Sequence, residues 1–510
     1  MALQRVVVIG AGVGGLVAAF ELAAQGFEVV VCEALAKPGG KMRQVQIGPS
    51  LLDAGPTVFT MRWVFEELFT QFGENLSDHL ALHRVDTLAR HAWGTREHFD
   101  LFADLNRSAS AIGDFAGAAE ARRYLAFCAR ARQIYQTLET PLLRGSRPNP
   151  LSLAWRVGLE GLPGLTHLSP FSSMWKELGR YFHDPRLRQL FGRYATYCGA
   201  SPFMAPATLM LVAHVEQDGV WLLGGGMHSL AEKLAALATS RGAVFRYGAA
   251  VAEVLIKGGR ASGVRLSSGE VIDGAAVVFN GDVAALSDGL LGAGATNATA
   301  PAAPAARSLS AITWNLVSPA RGFPLLRHNV FFSHDSKGEF DALFGQGRLP
   351  PEPTVYVCAQ DRSDTVHDGQ TPTGPERLLC LVNAPAKWEP GAAGRAITEA
   401  DIARCEDSTF ARLARSGLHL DRCAADVHRF TPEDFSRLFP ATGGALYGQA
   451  PHGWMASFTR PGSRSRLDRL YLAGGSTHPG PGVPMAALSG RQAAASVLAD
   501  LGAALRRGQS

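Results

Sequence analysis

The first forty residues alternate sharply between apolar runs and glycine-rich breaks. Arg5–Ile9 is a β-branched run with the composition of a buried parallel strand. A glycine-rich turn follows at once, and then Leu16, Ala19, Phe20 and Ala23 recur at helical spacing until Gly26. Phe27 to Cys32 forms a second apolar run and ends on Glu33. From about residue 75 to 220 the texture becomes Ala-, Leu- and Arg-rich, and Ala118 to Leu138 reads as an amphipathic helix. Proline-rich breaks fall at 141–150 and 163–170. Around the second, Trp155, Leu159, Leu162, Leu165, Leu168, Phe171, Met174 and Trp175 make an apolar patch. The patch reads first as domain core, with a membrane-dipping or substrate-entry segment as the alternative.

Further on, Gly224–Gly226 leads into a helix on which Ser229 and Glu232 have capping-box spacing. Residues 249–256, 263–266 and 271–279 alternate as three strands, punctuated by Gly258-Gly259 and Ser268-Gly269, which predicts a β-meander. Residues 284–307 read as a loop or linker. Strand-like runs at 312–316, 354–358 and 378–382 predict a mixed sheet. Near the end, a short strand at 469–473 enters a Gly/Pro loop and an Ala-rich helix. The fold class expected is α/β (α+β). Segments 1–75, 221–290 and 441–510 form one discontinuous domain, and 76–220 with 300–440 form a second.

Composition narrows the function classes. At 510 residues the chain exceeds a single simple core. A net charge of +4, without a dense basic run, gives no support for a nucleic-acid partner. The cysteines at 32, 128, 198, 358, 380, 405 and 423 include no CxxC pair, so neither a disulfide framework nor a metal cluster is expected. Glycines and Glu21 interrupt the apolar N-terminus, which argues against a secretory signal. No apolar run approaches the roughly 20 residues that span a bilayer, so any membrane contact is expected at the surface.

The chemistry is concentrated at the two ends. Gly10, Gly12 and Gly15 satisfy G-x-G-x-x-G, with Gly14 inside it. Gly10 permits the tight turn, Gly12 admits a pyrophosphate to the backbone, and Gly15 lets the helix pack against the strand. The helix N-terminus offers oriented N–H donors, and Glu33 stands where a carboxylate accepts from a ribose diol and repels a 2′-phosphate. The second glycine pair, Gly39-Gly40, precedes Lys41 and Arg43, and Asp53-Ala-Gly55-Pro56-Thr57 follows. A simple nicotinamide domain has no such second backbone approach. At the C-terminus the strand runs into Gly474-Gly475-Ser-Thr-His478-Pro-Gly-Pro-Gly482-Val483-Pro484.

These motifs resemble the flavin-containing amine oxidase and phytoene desaturase superfamily, and the C-terminal loop resembles the bacterial-type phytoene desaturase signature. The resemblance implies a Rossmann-type FAD-binding domain with an inserted mixed-sheet and helical substrate domain. Within it, Lys41 or Arg43 would sit near the flavin phosphates, and Asp53, Gly55, Pro56 and Thr57 near the isoalloxazine. Val251 would lie over the adenine, and Gly40, Gly474, Gly475, Gly482, Val483 and Pro484 would complete the cradle. The loop carries Ser476, Thr477 and His478 where related amine oxidases often carry a flavin-linking cysteine, so FAD is expected without a covalent bond. The polar–aromatic stretch 193–202 resembles part of the family's substrate-pocket wall. Residues 48–63 and 447–454 resemble the hydroxycarotenoid 3,4-desaturases of purple photosynthetic bacteria.

The resemblance implies removal of two hydrogens from an acyclic, 1-hydroxylated carotenoid at C3–C4. A quinone or oxygen would accept the electrons, at the cytoplasmic face of the inner or intracytoplasmic membrane. Hydride loss beside a polyene demands positioning more than a strong base. Asp53, Arg156 and His478 are the candidates for polar catalytic roles. Phytoene desaturation, carotenoid isomerisation, protoporphyrinogen or amine oxidation, and a non-catalytic prenyl-lipid escort are the alternatives.

Overall fold

The computed structural model describes residues 4–153, 155–156, 169, 171–301, 307–363, 372, 374–386, 397–422 and 426–507. Its first sheet joins strands far apart in sequence. The order is Val244–Arg246, Glu28–Cys32, Arg5–Ile9, Ala276–Phe279 and Leu470–Leu472, with every pair parallel. Parallel strands need cover on both faces, which explains the buried apolar runs Val6–Ile9, Val29–Cys32 and Ala276–Phe279. On one face, helix Val13–Ala24 packs against His228–Ser240 and the C-terminal helix Val483–Arg507 through Leu16, Phe20, Leu230 and Val497. This approach is close enough that a Cβ on Gly490 would lie 2.2 Å from the Gly14 carbonyl oxygen.

The other face is covered by a meander of Val251–Lys257, Arg260–Leu266 and Val271–Asp273, whose Val254 and Val264 share a core with Val7 and Val277. The single strand expected over 271–279 is therefore two. Gly274 breaks it, and Ala276–Phe279, buried at all four positions, leaves the meander to pair with Arg5–Ile9. The capping box expected at Ser229 and Glu232 does not form. Ser229 lies inside the helix and donates to the Gly226 carbonyl at 2.7 Å, and Glu232 is exposed. The stretch expected to be a plain linker contains the short helix Ala284–Ser287 and a 3₁₀ turn at Ala293–Ala298.

A second sheet has seven strands, in the order Asp426–Phe430, Ser310–Ser318, Glu376–Ala384, Val355–Ala359, His328–Phe331, Thr87–Ala92 and His98–Phe102. It is mixed, because His328–Phe331 runs parallel to Thr87–Ala92 while every other neighbouring pair is antiparallel. Helix Glu399–Arg415 covers one face with Ile402, Cys405 and Leu413. The opposite face looks across a cavity at helices that include Ala118–Leu138, Pro185–Gly192 and Leu211–Asp218, packed around Tyr124, Phe127, Phe182 and Phe191. The apolar patch near 155–175 divides. Met174 is core, but Trp155 and Phe171 are 84% and 81% exposed, so the core reading fails for these two. Leu159, Leu162, Leu165 and Leu168 lie outside the described residues. Among the described residues, no helix is long and apolar enough to cross a membrane.

Candidate active site

One cavity of about 990 Å³ connects the first sheet to the second. The end next to the first sheet is built from backbone. Gly10 has φ +93° in the turn leaving the first strand, and Gly12 starts helix Val13–Ala24 without any side chain capping it. The first-turn amides therefore keep their donors for something in the cavity, which Gly12, Val13 and Gly14 line. Glu33 is buried, and its two carboxylate oxygens accept the amides of Ala11 at 2.6 Å and Leu35 at 2.8 Å. Each oxygen retains a further lone pair for a ligand hydroxyl.

The second glycine pair closes on the first turn. Gly39 donates to the Ala11 carbonyl at 2.8 Å, and a Cβ on Gly40 would come within 3.3 Å of the Gly12 Cα. From the C-terminal end, the Gly474 amide donates to Ser489 Oγ at 2.7 Å, and a Cβ on Gly14 would sit 2.8 Å from the Gly474 nitrogen. Gly55, Pro56, Thr57, Val251, Gly475, Gly482, Val483 and Pro484 line the same space.

Both basic residues reach this wall. Lys41 Nζ donates to the Leu446 carbonyl at 2.6 Å, and burial pushes its ammonium down to about 8. The Arg43 guanidinium stacks 3.8 Å over the Phe430 ring, its Nη2 is buried without a partner among the described residues, and burial pushes it down to about 10. An uncapped helix start, a side-chain-free cradle, a buried acid and an unpaired guanidinium nitrogen suit an anionic dinucleotide with a ribose diol.

The three candidates for polar catalysis sit elsewhere. Asp53 points away from the large cavity. Its Oδ2 accepts the Met227 amide at 2.7 Å, and burial raises its carboxyl against the opposing pull of that bond. Arg156 is exposed, and its guanidinium donates to the carbonyls of Pro141 and Ser146 at 3.2 and 2.6 Å. His478 is 1% exposed, with Nε2 3.0 Å from the Gly145 carbonyl, and burial pushes its imidazole down to about 4. None of the three lines the cavity.

The polar groups that do line it come from the second sheet and the helices opposite. Glu216 is buried and accepts the hydroxyls of Tyr194 and Tyr197, each at 2.5 Å; burial raises its carboxyl, which these donors oppose. Tyr356 bonds Thr57 Oγ1 and His328 Nδ1, both at 2.7 Å. The Arg193 guanidinium lies 5.6 Å from the Tyr356 ring and 6.0 Å from that of Tyr197. Of these, only the 193–197 stretch stood out in the sequence. The rest of the lining is rich in Leu and Val, and it reaches an outer rim at Phe171 and Trp454, whose ring centroids are 5.5 Å apart.

The family model for flavin-containing amine oxidoreductases matches residues 13–498. The chain belongs to that family. Among curated proteins it is 55% identical over 500 residues to a hydroxyneurosporene desaturase of Rubrivivax gelatinosus, covering 98% of this chain and 94% of that one. Against a hydroxyneurosporene desaturase of Cereibacter sphaeroides the identity is 44%, covering 98% of each. A zeta-carotene-forming phytoene desaturase of Myxococcus xanthus is 33% identical, covering 96% of this chain and 92% of that one. Within the family, the chain therefore groups with the carotenoid desaturases. Solved structures agree on the fold. An oxidoreductase from Methanosarcina mazei aligns with a TM-score of 0.58 at 15% identity, covering 96% of this chain and 99% of that one. A putrescine oxidase bound to putrescine aligns at 0.57 and 14%, covering 98% and 99%. The family makes this chain a flavin-dependent oxidoreductase with an α/β fold of the amine oxidase type.

Proposed function

We propose that the protein binds FAD without a covalent link and desaturates an acyclic 1-hydroxy carotenoid at C3–C4. The observation that carries the reading is the continuity of one apolar cavity from the dinucleotide cradle to an exposed aromatic rim. A polyene is long, thin and almost wholly apolar, and such a channel accepts it while excluding water. Relatives at 55% and 44% identity carry the name hydroxyneurosporene desaturase, which supports the hydroxylated substrate.

Bound FAD would supply the hydride acceptor. The chain's own work is to hold and to orient. Glu33 and the glycines of residues 10–15 hold the nucleotide half, with Lys41 and Arg43 beside the phosphates, Val251 at the adenine, and 474–484 closing over the flavin. Segments 1–75, 221–290 and 441–510 carry this role, and 76–220 with 300–440 carry the substrate. The Leu- and Val-rich wall aligns the polyene, and Asp53 and His478 act as positioning residues. A polyene-stabilised cation releases its neighbouring proton readily, so no strong base is needed. Burial pushes the Cys198 thiol up to about 11, which keeps it protonated and a poor nucleophile, and 474–484 holds no cysteine; both favour non-covalent flavin.

The exposed rim supports a peripheral position on the cytoplasmic face of the inner or intracytoplasmic membrane, where carotenoid substrate and a quinone acceptor reside; oxygen is the other acceptor weighed. The test is visible absorption of flavin-loaded protein incubated with vesicles carrying hydroxyneurosporene, neurosporene or phytoene. A red shift of the carotenoid bands with the hydroxylated substrate supports the reading. An unchanged spectrum with all three sinks it.

A further inference from the structure

The cavity floor is one face of the seven-stranded sheet, and its residues are read from the strand pairing. Thr313, Leu381, Tyr356, Val330 and His91 form one cross-strand row, and Leu379 and His328 stand in the next. Most of this face is apolar. Among the residues of this face that line the cavity, three polar atoms are buried without a partner among the described residues: Thr313 Oγ1, His91 Nδ1 and His328 Nε2. A buried polar atom left unpaired is costly, so each is a candidate for pairing with a ligand.

His328 differs from the other two in how it is held. It is 3% exposed, its Nδ1 is bonded to Tyr356 OH at 2.7 Å, and that hydroxyl is bonded to Thr57 Oγ1 at 2.7 Å. The His328 and Tyr356 rings also stack, with centroids 6.1 Å apart and planes 16° apart. The imidazole therefore has a fixed orientation, anchored to Thr57, which follows Gly55-Pro56 and lines the cavity where the family resemblance sets the isoalloxazine. Its surroundings keep it uncharged, since burial pushes the ring down to about 3.

We propose that His328 Nε2 is the hydrogen-bond partner of the substrate hydroxyl, and so determines specificity for a hydroxylated polyene. The inference rests on the desaturase reading and deepens it. In a 1-hydroxy carotenoid, only C1 and C2 separate the oxygen from C3. Whatever recognises that hydroxyl must therefore stand beside the reacting bond, close to the flavin, and not at the far end of the channel. His328 meets this requirement through its tie to Thr57. A hydroxyl both donates and accepts, so it satisfies Nε2 in either tautomer. A site built to bond a hydroxyl rejects the analogue lacking it, because the site's own polar atom is then stranded.

The test compares flavin-loaded wild type, His328→Leu, His328→Gln and Tyr356→Phe on a 1-hydroxy acyclic carotenoid and on the same polyene without oxygen. Both kcat/KM and equilibrium binding, read as quenching of tryptophan fluorescence, are measured. His328→Leu is expected to lose about thirtyfold on the hydroxylated substrate, in binding as well as kcat/KM, and less than about threefold on the other. His328→Gln, which keeps a polar group at similar reach, recovers part of that loss, and Tyr356→Phe falls between wild type and His328→Leu. Equal losses on both substrates, or no loss on either, would overturn the assignment and leave the desaturase reading intact. Wild type inert toward both polyenes would overturn both.

Discussion

The Asp53 carboxylate accepts the Met227 amide at 2.7 Å and thereby anchors the start of helix His228–Ser240 from a hairpin strand 174 residues earlier. The contact is tight, since a Cβ on Gly226 would lie 2.0 Å from that same oxygen. The Asp53 backbone is engaged too. Its N–H donates to Gln360 Oε1 at 3.1 Å, and its carbonyl accepts from Gln360 Nε2 at 2.8 Å. One residue thus joins the N-terminal hairpin, the helix His228–Ser240 and the turn that leaves strand Val355–Ala359 of the seven-stranded sheet.

Asp53→Ala strands a buried amide and is expected to cost about 2 kcal/mol of stability. Flavin retention falls with it, because the strand Ser50–Asp53 leads directly into Gly55-Pro56-Thr57. Asp53→Asn keeps an acceptor and most of the stability. Turnover per bound flavin stays within about tenfold of wild type in both variants. Denaturant midpoints and flavin absorbance per chain measure the first effects, and a loss of turnover beyond about a hundredfold in Asp53→Asn would return Asp53 to a catalytic role.

What was legible in the sequence was local. Strand, glycine turn, helix and second strand fall within consecutive residues, so their geometry follows from short-range rules, and Ala118–Leu138 reads as a helix for the same reason. The failures arose where a distant partner decides. Residues 271–279 alternate as one strand, but pairing with Arg5–Ile9 pulls Ala276–Phe279 into another sheet. Ser229 and Glu232 have capping-box spacing, but the helix already begins at His228 after Met227, whose amide Asp53 accepts, so Ser229 lies inside the first turn. The Tyr356–His328 pair is invisible to any motif, because it exists only through antiparallel pairing of strands that helix Ser336–Phe340 and its flanking turns separate.

Glu339 sets a pH dependence of stability. It is buried, it accepts the Thr354 amide at 3.1 Å and the Thr354 hydroxyl at 2.7 Å, and burial pushes its carboxyl from 4.5 up to about 7. A folded-state value above the unfolded one means the fold binds the proton more tightly. Its contribution is fully present below about 4.5 and is lost as pH rises through about 7. Wild type should lose up to about 3 kcal/mol across that window from this group, and Glu339→Gln should flatten the slope. Urea midpoints at a series of pH values test it, and equal slopes in the two proteins would remove Glu339 as the cause.

Gly490 reports the contact between the two ends of the chain. In Gly490→Ala the new Cβ meets the Gly14 carbonyl oxygen at 2.2 Å and the Gly14 Cα at 3.1 Å, so helices Val13–Ala24 and Val483–Arg507 must separate. Both contacts are backbone, which leaves no side chain to swing aside. Overpacking of this kind costs about 1–3 kcal/mol. Weaker flavin retention is expected as well, since Gly14 and Gly482 line the same cavity. A variant with unchanged melting temperature and flavin content would show that the helices part freely.

The rim of the cavity is where membrane contact is expected. Leu151 and Trp155, each 84% exposed, flank Pro150 and Leu153, which line the cavity, and Phe171, 81% exposed, packs its ring against the partly exposed Trp454. Such side chains gain on leaving water, and Arg147 and Arg156 close by add attraction to an anionic surface. The double variant Leu151→Ser, Trp155→Ser should bind anionic vesicles about tenfold more weakly or worse, with its melting temperature little changed, because neither side chain is packed in the core. Added salt should weaken wild-type binding only in part, since the apolar contribution survives screening. Sedimentation with vesicles provides the measurement. Binding that is unaffected by the two serines but abolished by salt would make the attachment electrostatic and take the rim out of it.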